Sequence, residues 1–123
     1  MKVADEVWIG TALLHKEKKD RNSFTVKEIV QRVFDEFKKE PEWRLRPGVM
    51  VHVSLHCVAN KSPNPNNLRY LVEPENEKGK RRLFKEVDPY HEWREGGKTK
   101  PNIEDLPLKY KKLLDWYEKE YSK

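Results

Sequence analysis

A capping box ahead of an apolar helical stripe, a stretch with both strand and helix periodicity, and a basic strand pair joined by a glycine turn predict an α+β fold. The architecture that accommodates all three is a winged helix-turn-helix, three helices plus a β-hairpin wing, here with a C-terminal helical extension. Residues 1–87 form the winged-helix domain in this reading, and residues 88–123 an extended loop and a helix that packs on it or on a partner. With 123 residues the chain can bury one compact core but not two.

The first helix is expected from Val3 to about Lys18, because Ala4, Val7, Trp8, Thr11, Leu14 and His15 recur at three and four. The turn-forming cluster DRNS ends it, and Ser23–Phe24 is a brief extended piece. Thr25 caps the second helix, Glu28 closes the capping box and Phe24 staples against Ile29. Its stripe of Val26, Ile29, Val30, Val33, Phe34 and Phe37 reads as core. A charged connector carrying Pro41 and Pro47 follows. The words LRYLVEP and RRLFKEV are the two strands of a hairpin, turned by ENEKGK with Gly79. DPYHEWREGGKTKPN is an extended tail or loop bent at Gly96 and Gly97. A last helix begins near Asp105 and Pro107, with a stripe of Leu106, Tyr110, Leu113, Leu114, Tyr117 and Tyr121 that docks on the domain or forms a homodimer.

The stretch RPGVMVHVSLHCVAN, residues 46–60, decides the function. In steps of two, Val51, Val53, Leu55 and Cys57 alternate with His52, Ser54 and His56 as in a half-buried strand. In steps of four, His52, His56 and Asn60 line up on one side of an otherwise apolar helix. A helix over residues 49–60 supplies the third helix and suits Pro47 at its first turn, so it is the preferred reading; a strand would instead give a small three-stranded sheet.

The words HCVAN at 56–60, DPYH at 88–91, REGGKT at 94–99, DLP at 105–107 and LLDWYE at 113–118 resemble those of a small prokaryotic, archaeal-type family of uncharacterised function. The resemblance runs over most of the chain. It implies a winged-helix fold and, by analogy of fold alone, nucleic-acid binding.

Charge points the same way. Residues 78–100 hold eight basic against four acidic groups, nearly all of the net charge of +5, and such a local patch suits a polyanion. As a reader of double-stranded DNA, the third helix offers His52, Ser54, His56 and Asn60, with Lys61 at its exit. Lys78, Lys80, Arg81 and Arg82 of the wing would meet phosphates, and Arg94, Lys98 and Lys100 extend the footprint. No arginine lies on the helix to grip guanine, so base preference should be modest. The bland readings are a buried His56 and Asn60, and a wing whose lysines merely block edge pairing.

Catalysis is not expected. His52 and His56 have the spacing of two metal ligands, with His91, Cys57 or Asp88 to complete a site, but HVSLH lacks the glutamate of HExxH. Asp88, Glu92 and Glu95 with Lys98 are the one carboxylate set a metal-dependent nuclease would use, at unspecific spacing. KGK and REGGKT lack the phosphate-loop pattern, and Cys57 lacks an evident base. No cofactor or metal is therefore assigned. The alternative to DNA binding is a protein-interaction module of the same shape. The lone cysteine, the acids in MKVADEVWIG and the lack of a long apolar run fit a cytoplasmic protein without a membrane span, and the Lys/Glu richness resembles thermophile surfaces.

Overall fold

The computed structural model describes residues 1–63 and 65–123 of an α+β fold with four helices and a three-stranded antiparallel sheet. Helix α1 (Val3–Glu17) leads into strand β1 (Phe24–Thr25) and helix α2 (Val26–Phe37). Helix α3 (Pro47–Val51) widens into a π-helical turn (His52–His56), and strands β2 (Leu71–Val72) and β3 (Lys80–Leu83) follow. After short 3-10 turns, α4 (Lys111–Trp116) also ends in a wider turn (Tyr117–Tyr121).

The capping box forms as the sequence predicts: Thr25 accepts from the Glu28 amide at 3.0 Å, and Glu28 accepts from the Thr25 amide at 2.9 Å. Arg21 adds two hydrogen bonds to the same carboxylate and, with the Thr25 amide, draws its pKa down to about 2. Of the expected α2 stripe, Ile29, Val33 and Phe37 are buried and Val26 and Val30 half-buried. Phe34 is exposed, with Lys38 over its ring and Trp43 at its edge, so the stripe is narrower than its apolar residues suggest.

The sheet order is β1-β3-β2, so the last strand lies in the middle. Phe24 pairs with Arg81, and Leu71 with Leu83. Gly79 takes a φ of +84°, which lets the chain turn from β2 into β3 without the clash a side chain would meet. Both strands are far shorter than the apolar words that predict them.

One expectation is corrected and one open alternative is narrowed. The third helix covers residues 47–56 rather than 49–60, which leaves Asn60 in the following turn. For the aromatic stripe of the C-terminal helix, burial supports docking on the domain, one of the two alternatives the sequence left open. Leu106, Tyr110, Leu113, Leu114 and Tyr117 are buried in the same core as Val7, Trp8 and Ile9 of α1, with Trp8 edge-on to Tyr117. Its exposed residues are Lys112, Asp115, Glu118, Lys119 and Glu120, and Trp116 and Tyr121 are half-buried. One hydrophobic cluster thus joins residues on either side of position 88. Among the described residues no helix is long and apolar enough to cross a membrane.

Candidate nucleic-acid interface

Helix α3 is set by three inward residues. Val49, Val53 and Cys57, four apart, are fully buried against α1 and α2. Burial raises the Cys57 thiol pKa well above its usual range, so a thiolate nucleophile is disfavoured. The outward face, a third of a turn away, carries Pro47, Met50 (51% exposed), Val51 and half-buried Ser54. The histidines sit between these faces. His52 Nδ1 lies 2.7 Å from the Gly48 carbonyl, and the two rings pack edge-on with centroids 4.9 Å apart. His56 Nδ1 is buried without a partner among the described residues, and burial, His52 and Arg94 lower its pKa. The face expected to read bases is therefore a flank, and the face turned outward is apolar.

Asn60 spends both ends of its amide on Glu73, donating to its carbonyl at 2.8 Å and accepting its amide at 3.0 Å. It has no free edge for adenine. Glu73 also receives the Gly79 amide, Arg81 and Lys61, and these donors lower its pKa. Lys80 lies 3.9 Å from Glu77, and Lys100 3.0 Å from Glu118. Lys98 is half-buried, and Lys78, at the tip of the β2–β3 turn, is exposed with no ion pair among the described residues.

The arginines give the clearest correction. Arg81 is 5% exposed and donates to the carbonyls of Val53 and Ser54 at 3.0 and 3.1 Å. Arg94 is 0% exposed; its donors reach the carbonyls of Leu55, His56, Lys61, Ser62 and Leu68, between 2.5 and 3.1 Å. The last carbonyls of a helix have no intrahelical partner, and the dipole there favours cations. Two guanidinium groups supply both needs for residues 53–56. Neither can reach a phosphate. Arg82 grips Asp88, one of the expected nuclease carboxylates, with both terminal nitrogens at 2.8 Å. Of the other members of that set, Glu95 accepts the Tyr90 hydroxyl.

Buried acids went unnoticed in the sequence. Asp5 accepts the Tyr70 hydroxyl at 2.9 Å and its pKa is raised by burial; Glu6 accepts the Trp43 indole and Arg46. These pairs pin the connector and Tyr70 to α1. Among the described residues no group of three His, Cys, Asp or Glu side chains is placed to hold a metal ion. No protein-family model matches the chain, and no curated protein and no solved structure matches it significantly.

Proposed function

We propose that the chain is a winged-helix protein that binds double-stranded DNA without catalysis, as a transcriptional regulator or the recognition part of a larger assembly. The observation that carries this reading is topological. The order α1-β1-α2-α3-β2-β3 with β3 central is consistent with a winged helix-turn-helix, whose third helix would enter the major groove while the following hairpin lies along the backbone as a wing. In this reading Met50, Val51 and Ser54 approach the base edges, where apolar side chains meet thymine methyl groups and a hydroxyl serves any base. Arg44, three residues before α3, and Lys78 on the wing reach phosphates. With about two phosphates engaged, log K should fall with log salt at a slope near ~−2.

The test is anisotropy of labelled random-sequence duplex at low and high salt, with and without divalent metal. Salt-sensitive binding, lost uniformly across sequences in Arg44→Ala/Lys78→Ala and without strand cleavage, supports the reading. One observation favours a second reading, a protein-docking module: Leu45, Met50 and Val51 are 43%, 51% and 41% exposed together around α3. No duplex binding at low salt would favour it over the first.

A further inference from the structure

Away from α3 and the wing tip, a cleft of about 710 Å³ opens between the end of α1, the approach to β1, the end of β3 and the last turn of the C-terminal helix. We infer that this cleft binds a nucleotide, its phosphate against Lys16, Lys19 and Lys85 and its unpaired base against the ring face of Trp116.

Charge is the first support. Lys16, Lys19 and Lys85 line the cleft and have no carboxylate partner among the described residues. Arg21 and Arg82 also line it, but Glu28 and Asp88 already neutralise them from outside the cleft. Primary amines on flexible stems suit a phosphate as converging point charges. Glu77 and Glu120 are the acidic members of the wall, and Glu77 faces Lys80. The remaining carboxylate, Glu120, is an acceptor of the kind that base amino groups and ribose hydroxyls use.

The second support is a preformed aromatic wall. His15, Trp116 and Tyr121 pack together, with ring centroids 4.7 Å apart for His15 and Tyr121 and 5.4 Å for Trp116 and Tyr121. One residue holds two of them: the Leu83 amide donates to His15 Nε2 at 3.2 Å, and the Tyr121 hydroxyl donates to the Leu83 carbonyl at 2.8 Å. Lys85 lies over the Tyr121 ring at 4.8 Å. Trp116 is half-buried at the edge of this stack and lines the cleft. Aromatic faces beside cations are how proteins hold nucleotides without reading sequence. The cleft is also of ligand size. A paired base cannot stack there, so the nucleotide is free or belongs to an unpaired strand.

The experiment titrates the full chain with adenosine monophosphate, with a short single-stranded oligothymidine and with inorganic tripolyphosphate, reading the Trp116 indole N–H by NMR and affinity by calorimetry. The expected result is saturable binding of a base-bearing ligand that shifts Trp116. Binding should weaken about tenfold in Trp116→Leu, by loss of stacking. Lys16→Ala/Lys85→Ala should weaken it at least as much while leaving duplex binding by α3 and the wing unchanged. Trp116→Phe, which keeps the packing, should retain binding. Preference for the mononucleotide would indicate a free ligand, and tighter binding of the oligomer a strand; either supports the site. Tripolyphosphate binding as well as the nucleotides without moving Trp116, or no saturation by any of them, would overturn it. Because the variants lie outside the duplex face, failure here leaves the DNA reading standing, and the reverse holds too.

Discussion

Replacing Arg94 with Met tests whether this residue is structural or phosphate-facing. Its guanidinium has five N–H donors and meets five carbonyls, and it has no ion pair among the described residues. Methionine fills much of the space but satisfies none of them. Hydrogen bonds to a charged donor contribute about 1.5–3 kcal/mol each, so simple addition would exceed 7 kcal/mol. Two effects reduce that sum. Removing the buried cation relieves its desolvation, which already lowers the Arg94 pKa, and the Leu55 carbonyl keeps its bond from the Val58 amide. A loss of about 3–5 kcal/mol remains, a large share of the stability of a domain this size. With a urea m-value of about 2 kcal/mol/M the unfolding midpoint should fall by roughly 2 M at unchanged slope. Arg94→Lys, with three donors for five acceptors, should fall between. A midpoint within about 0.3 M of the parent for Arg94→Met would refute the strut, as would a native-like Arg94→Met with weakened duplex binding.

The other expectations follow from single contacts. Burial, with Arg82 and Lys85 nearby, holds His15 neutral and lowers its pKa to about 3, so the unfolded chain takes up the proton first as pH falls through about 6.5. Stability should drop at up to ~1.4 kcal/mol per pH unit, about 2 kcal/mol between pH 7.5 and 5. His15→Gln, which keeps an acceptor for Leu83, should lack that share; parallel pH–stability curves for the two proteins would contradict the assignment. Thr25→Ala should cost about 1 kcal/mol by chemical denaturation, since the α2 cap is lost. A Cβ on Gly97 would lie 1.7 Å from the Asn67 carbonyl oxygen, so Gly97→Ala should cost about 3 kcal/mol or fail to fold, and a neutral result would exclude that close approach.

Much of the scaffold was legible because its signals are local. The period of α1, the Thr25–Glu28 box, the Gly79 turn and the extended Phe24 all involve residues within a few positions of one another. The site was less legible. His52, His56 and Asn60 share a line only if a regular helix continues to residue 60, and the chain instead widens at His52 and stops at His56. Counting cations in residues 78–100 could not tell which were solvated. Arg81 and Arg94 bond carbonyls 26–39 positions away, and no local pattern marks a lysine partner such as Glu73 or Glu118.

Composition and periodicity by themselves determined that this chain builds helices around a small sheet, where its second helix begins and where its hairpin turns. Those outcomes depend on backbone preferences and near-neighbour contacts, which are written in consecutive residues. Tertiary structure alone decided that two arginines close the end of α3, that the aromatic C-terminal stripe belongs to the core, and that Met50 and Val51 face outward. The reason is that burial is a property of the assembled chain: a guanidinium becomes a strut or a phosphate contact according to which carbonyls the fold brings within its reach.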